Sequence, residues 1–285
     1  MRNIIWILFL LVMYGCSEER VNDNSDENTG GNKNNSGKEV SSIELKELIP
    51  SDSYDVTSTR TFKFGDDGIS YFVAAQEIAG GKLFSSSDTT FVSYTDGGMV
   101  VSDRNGNVRT YMMNDFGCAV SCCLQEGGGT ERNYYFSYIT GEDGFQYLSG
   151  ITEMLDDGEV YSLLTFDYSE DGKIKVGQTV DGMSETYIVE FDKSVAVENV
   201  CGLPDIFLSE LYPMSMHLVA LYGGVLGNAF EYLCTDMYPE NSPELNEHTT
   251  YEYSVDEEGI PDYCEIVTVS GGEEYKRNIS VKITI

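Results

Sequence analysis

The stretch EVYSLLTFDYSEDGKIKVGQTVDGMSETYIVEF, residues 159–191, decides the fold. It contains Asp171-Gly172 and Asp181-Gly182, and Asp157-Gly158 stands immediately before it. Asp-Gly and Asn-Gly recur at hairpins because a type I′ turn needs positive φ at both central residues. These pairs cut the chain into four segments of strand length, near 145–154, 159–168, 173–180 and 183–191. Consecutive hairpins put successive strands side by side and antiparallel, so the stretch reads as a β-meander.

The same punctuation runs outward in both directions, at Asp67-Gly68, Asp96-Gly97, Asn105-Gly106 and Asp143-Gly144. Near the C-terminus, Ile279, Val281, Ile283 and Ile285 alternate with Ser280, Lys282 and Thr284, the period of a half-buried strand. Tyr251, Tyr253 and Val255 repeat it. FKFGDDG (62–68) and FDYSEDG (166–172) share an aromatic-x-aromatic-x-x-Asp-Gly pattern, and FSYITGEDG (136–144) and YEYSVDEEG (251–259) are spaced variants of it. Two aromatics two residues apart share one strand face, and the acidic-Gly pair then reverses the chain. These repeats are structural units.

One segment breaks the strand rhythm. LPDIFLSELYPMSMHLVALYGGVLG (203–227) opens with Pro204-Asp205, a helix entry, and runs to Gly223-Gly224. Met214, Leu218, Leu221 and Val225 fall at helical spacing, with Pro213 expected to kink or divide the helix. Its apolar face is expected against the concave face of a curled sheet. A second short helix is expected over Ser42 to Leu48, capped by Ser41 or Ser42.

The N-terminus reads as an address. Met1-Arg2-Asn3 precedes an apolar run, Ile4 to Tyr14, which matches an export signal and is too short for a spanning helix. Gly15-Cys16 resembles the bacterial lipobox, although Met13 replaces the usual leucine. That resemblance implies a signal peptide over 1–15 and lipidation of Cys16. Ser17-Glu18-Glu19 looks like the tag that sends Bacteroidetes-type lipoproteins to the outer face of the outer membrane. Residues 16–40 then form an acidic tether; after Cys16 its only aliphatics are Val21 and Val40, too little apolar surface to offset ordering entropy. The remainder, 41–285, is read as a single antiparallel β domain with the helical insertion near 203–227.

Seventeen basic residues face 48 acidic ones, giving a net charge of −31, and loss of Arg2 with the leader deepens it. Duplex phosphates would be repelled and no basic stripe exists to receive them, so nucleic acid is excluded as a partner. Six cysteines remain beyond Cys16: Cys118, Cys122, Cys123, Cys201, Cys234 and Cys264. Exported chains permit disulfides, and six cysteines allow 15 pairings. Buried thiols acting as small hydrophobes are the preferred alternative, because most sit inside apolar strands. Metal-ligand spacing is missing, and no cofactor is called for.

The lipobox start, the aromatic-x-aromatic strands, LGNAFEYL (226–233) and the closing YEYSVDEEGIPDYCEI (251–266) together resemble a Bacteroidetes lipoprotein family, a domain of unknown function. The resemblance covers most of 45–285 and implies a porin-like fold. No proline closely follows Leu233, where the family's Leu-Pro is expected. The family carries no catalytic residues. The fold class is therefore mainly β: a curled antiparallel meander or half-open barrel, porin-like, with one helical insertion packed against the sheet.

Candidate chemistry is thin. Asp66-Asp67, Asp156-Asp157 and Glu170-Asp171 have the residue types of glycosidase carboxylates, but turn chemistry beside glycine explains them. DRNGN (103–107) starts like a calcium loop yet places glycine fourth instead of sixth, so a hairpin turn is the better account. His217 falls on the predicted helix and His248 at a strand start, neither in a catalytic pattern. Cys118, Cys122 and Cys123 lack nearby cations in sequence to activate a thiol. Asp88-Thr89-Thr90 resembles a short O-glycosylation acceptor. The only tryptophan, Trp6, lies in the leader, which counts against an aromatic sugar platform.

The expectation is a non-catalytic, lipid-anchored surface lipoprotein that binds or assembles with a glycan or protein. An exported polysaccharide hydrolase using an acidic pair and a membrane pore are the alternatives.

Overall fold

In the computed structural model the described residues are 40–141, 144–196, 203–227, 232–241, 247–255 and 261–284. They build sixteen strands: β1 (Ser42–Ile49), β2 (Val56–Gly65), β3 (Gly68–Ile78), β4 (Phe84–Thr95), β5 (Gly98–Asp103), β6 (Val108–Met113), β7 (Ala119–Gln125) and β8 (Glu131–Thr140) in the first half. The second half holds β9 (Gln146–Leu155), β10 (Val160–Asp167), β11 (Lys173–Val180), β12 (Met183–Ala196), β13 (Tyr232–Pro239), β14 (Glu247–Val255), β15 (Pro261–Ser270) and β16 (Glu273–Thr284). The four segments expected around residues 145–191 are β9 to β12.

Each strand pairs antiparallel with its neighbours in sequence, and β1 pairs with β16 from Ser42↔Thr284 to Leu48↔Asn278. The sheet is thus a closed barrel, not the half-open one expected from the sequence. The reason is the segment expected as a helix over Ser42 to Leu48, which is instead the closing strand. Ile43, Leu45 and Glu47 are buried while Lys46 is exposed, a period of two. Seven residues cannot sustain a helix on their own. As a strand, the same residues satisfy their backbone groups on both sides, against β16 and β2.

The turns also divide. At Asp181-Gly182 both residues have positive φ, 50° and 73°, the type I′ geometry expected. At Asp67-Gly68, Asp96-Gly97, Asn105-Gly106, Asp157-Gly158 and Asp171-Gly172 only the glycine does. In the 155–159 loop, Gly158 N–H donates to Leu155 O at 2.9 Å and Leu155 N–H to Glu159 O at 3.0 Å. In the longer loops at 103–108, 155–160 and 167–173 the residue before glycine keeps an ordinary φ and only glycine is left-handed. The connections at Asp67-Gly68 and Asp96-Gly97 show the same pattern at the length of the Asp181-Gly182 turn. Asp143 lies outside the described residues.

The barrel wall is apolar inside; its outer face carries charged and polar residues on β11 and β16, while Tyr71, Phe91, Met112, Tyr135 and Leu163 are exposed on β3 to β10. On β16, Ile279 is buried and Val281 and Ile283 pack on the core, while Lys276, Ser280 and Lys282 are exposed on the other face. On β11, Ile174 and Val176 are buried opposite Lys173 and Lys175. Outward charges of this kind cost ~2–4 kcal/mol each at a bilayer midplane.

The connection between β12 and β13 fills the barrel. It holds two short 3-10 helices, Leu203–Glu210 and Met214–His217, followed by α1 (Leu218–Tyr222). Pro213, joined to Tyr212 by a cis peptide, separates the first two, so the expected helix is three pieces. Tyr222 meets Phe62 of β2 at 4.6 Å with tilted rings, while His217 meets Tyr134 of β8, and Phe207 meets Phe191 of β12, edge-on. Val225 O accepts from Ala119 N–H of β7 at 2.7 Å. One short segment reaches strands on every side only from the lumen. Barrels of 16–18 strands otherwise leave an aqueous channel.

Candidate functional site

Two polar knots fasten this plug to the wall. Glu153 of β9 has no solvent exposure. Its Oε1 accepts from Arg132 Nη1 at 2.7 Å and Tyr134 Oη at 3.2 Å; its Oε2 accepts from Ser162 Oγ and the plug's Tyr212 Oη, both at 2.7 Å. A buried carboxylate is tolerated when donors surround it in this way. Burial, and then Glu153 itself, push the Tyr134 and Tyr212 phenols up, so both stay protonated donors. In the second knot, Arg277 Nη1 bonds Glu47 at 3.0 Å and its Nη2 bonds Glu210 of the plug. Arg60 completes it, 3.8 Å from Glu47.

A cavity of about 210 Å³ lies between plug residues Ser215–Val219 and the inner faces of β3 to β6. Phe72, Ala74, Val101, Met216, Leu218 and Val219 give it apolar walls; Asp88, Thr90, Asp103, Arg109, Tyr111 and Ser215 bring polar groups. The mixture of apolar wall and few polar groups is that of a small-ligand site, and the volume lies below the roughly 300–1,000 Å³ usual for drug-sized ligands.

The three charged side chains differ in what they already bind. Asp103 Oδ1 accepts from the N–H groups of Asn105 and Asn107, at 2.9 and 3.0 Å, and Oδ2 from Asn107 Nδ2 at 2.7 Å. It is committed to its own hairpin. Among the described residues Asp88 Oδ1 accepts only from Thr89 N–H, at 2.9 Å. Arg109 makes no ion pair or hydrogen bond among the described residues, and its Nε is sealed from solvent. Tyr111 joins the cavity to the core: its Oη sits 2.8 Å from His217 Nδ1. His217 is ringed by Tyr111, Tyr134 and Phe136, and burial lowers its pKa to about 3, so it is neutral.

Of the residues singled out from sequence, the structure brings Asp88, Thr90 and Asp103 to the cavity. Thr89, the middle of the expected acceptor triplet, falls on the opposite face of β4. Asp66-Asp67, Asp156-Asp157 and Glu170-Asp171 stay at hairpin ends, where Asp157 Oδ1 accepts from Glu159 N–H and Asp171 pairs with Lys193. His248 Nε2 contacts Asp236 on the outer wall at 3.0 Å. Cys118, Cys122, Cys123, Cys234 and Cys264 are free thiols. Burial pushes Cys122 and Cys264 up to about 12, against the pull of Arg109 and Tyr253 respectively, so neither is a nucleophile at neutral pH. Cys16 and Cys201 lie outside the described residues. Sequence reasoning missed Arg109, Phe72, Tyr111 and Ser215. For Arg109 a signal existed: it shares strand phase with Tyr111 and Met113, the inward phase.

A family described as a domain of unknown function (DUF4595) with porin-like fold matches residues 55–262. The chain belongs to it. Within the DUF4595 fold, a crystal structure of a porin-like protein from Bacteroides uniformis superposes with a TM-score of 0.78 at 37% identity, covering 86% of this chain and 96% of that one. A porin-like protein from Bacteroides vulgatus shares the fold at 12% identity and a TM-score of 0.53, covering 85% of this chain and 97% of that one. No curated protein matches the chain.

Proposed function

We propose that this DUF4595 protein is a non-catalytic binding module of the bacterial cell envelope. In this reading it is tethered through lipidated Cys16, held in water outside the outer membrane, and binds a small ligand in the cavity beside the plug. The observation that carries the reading is the sidedness of the barrel. Transmembrane barrels carry an apolar band outward and polar groups inward. Here Ile279 and Ile174 face a packed lumen while Lys276, Lys282 and Lys175 face out. The fold is that of a pore, and these outward lysines stand where a membrane-spanning barrel would carry apolar residues. They support a barrel held in water, although Tyr71, Phe91 and Leu163 also face out.

The acidic-pair hydrolase gains little from the cavity. Such an enzyme needs two disposable carboxylates, one protonated and one ionised. Asp88 and Asp103 share the cavity, but both oxygens of Asp103 are consumed by the 103–107 turn.

Two measurements test the reading. Full-length protein added to planar lipid bilayers should give no stepwise conductance, and cells fed alkyne-tagged palmitate should label the wild type and not Cys16→Ala. Discrete ion-conducting steps, or label that survives the substitution, would overturn it.

A further inference from the structure

The strand arginines set up a contrast. Arg60, Arg132 and Arg277 each lie within ion-pair distance of a glutamate, at 3.8, 2.7 and 3.0 Å. Arg132 also has an Nε without a hydrogen bond, but its guanidinium is compensated by Glu153 and Glu126. Arg109 points into the same lumen, lines the cavity, and alone among these strand arginines has no carboxylate within ion-pair distance among the described residues. An uncompensated guanidinium with a sealed Nε is costly unless something else completes it. Across the same cavity stands Asp88, whose Oδ2 has no partner among the described residues. The two charges share one cavity and do not pair with each other.

We propose that the cavity binds a small zwitterion, an α-amino acid with an apolar side chain, its carboxylate on Arg109 and its ammonium group on Asp88. A purely anionic ligand would satisfy Arg109 and face Asp88 unmatched. A purely cationic one would do the reverse, and a neutral polyol would offer both charges only weak dipoles. A ligand carrying both charges forms a charge-assisted bond at each end, about twice as strong as a neutral one. Thr90 and Ser215 hydroxyls line the same space. Phe72, Val101, Met216, Leu218 and Val219 supply the surface for the side chain. The volume, about 210 Å³, is enough for one such molecule.

This inference rests on the binding reading, and its test separates the two. Detergent-solubilised full-length protein is titrated calorimetrically with leucine, with 4-methylpentanoate and isopentylamine as its single-charge analogues, and with glucose. Leucine should bind at least about tenfold more tightly than either analogue, the loss expected when one charge-assisted contact goes. Arg109→Gln and Asp88→Asn should each weaken leucine by a similar factor without lowering the unfolding midpoint of the ligand-free protein. If Arg109→Gln fails to fold, Asp88→Asn carries the test alone. Equal binding of leucine and one analogue, or glucose binding without leucine, overturns the zwitterion and leaves the binding module standing. Heat from none of the four overturns both.

Discussion

Arg132 Nη1 lies 2.7 Å from Oε1 of Glu153, a carboxylate with no solvent exposure in a barrel whose plug donates a second phenol to the same group. The pair joins β8 to β9 and, through Tyr212, joins both to the segment that fills the lumen. Replacing Glu153 with Gln removes the nearer of the two charges that compensate Arg132, leaving only Glu126 at 3.8 Å, and leaves too few acceptor sites for four donors. Loss of one partner from a buried pair costs about 3 kcal/mol or more. Urea unfolding should show that loss. Arg132→Met in the Glu153→Gln background should recover part of it, because no orphan charge remains; a double variant as weak as the sum of its parts would contradict the coupling.

Phe207 is fully buried and meets Phe191 of the wall edge-on, with centroids 5.7 Å apart. Phe207→Ala leaves a cavity in the centre of the lumen and should cost ~3–5 kcal/mol. Because the plug touches strands all around the barrel, plug and wall should unfold together. Tyrosine fluorescence and far-UV circular dichroism should therefore trace the same curve, shifted to lower denaturant. Two separated transitions would mean that the wall stands without its filling.

Much of this architecture was legible, and the reasons differ by element. β9 to β12 follow from Asp-Gly punctuation and strand length, both local. β1 was misread because SIELKELI carries too few residues to settle a period, and only its two neighbours make it a strand. The 203–227 segment announces itself as helical and apolar, yet the lumen that receives it exists only after Ser42–Ile49 closes the sheet against Glu273–Thr284. The site was hidden for the same reason. Arg60, Arg109, Arg132 and Arg277 all stand two residues from an inward aromatic or aliphatic residue, which marks them as lumen groups. That phase says which arginines are inside; that Arg109 alone among them lacks a glutamate depends on strand register and, for Arg277, on the closure of β16 against β1 and on the plug's Glu210.

Asp181-Gly182 offers a check on the turn chemistry. Gly182 holds φ at 73° with nothing near its missing Cβ, so Gly182→Ala meets no clash and isolates the backbone cost. A left-handed alanine should lower stability by about 1 kcal/mol, read from the urea midpoint at constant slope. An unchanged midpoint would show that the β11–β12 hairpin does not depend on this turn conformation.

His217 makes stability fall on the acid side of neutrality, before the carboxylates titrate. In the folded barrel, burial lowers its pKa to about 3; unfolded, it titrates near 6.5. Arg109 adds to the lowering from the cavity side, while the ring is otherwise faced by Tyr111, Tyr134 and Phe136. Between these pH values the unfolded chain holds a proton that the folded one does not, so the unfolding free energy drops as pH falls, by up to about 1.4 kcal/mol per unit. From pH 7 to pH 5 this single group should remove about 2 kcal/mol. His217→Asn keeps an acceptor for Tyr111 and has nothing to titrate. The variant should be less stable than wild type at pH 7, where a packed ring has been lost, and should close the gap by about 2 kcal/mol at pH 5. Parallel pH profiles for the two proteins would show instead that His217 is accessible to protons in the folded state, and that the lumen around it is wet.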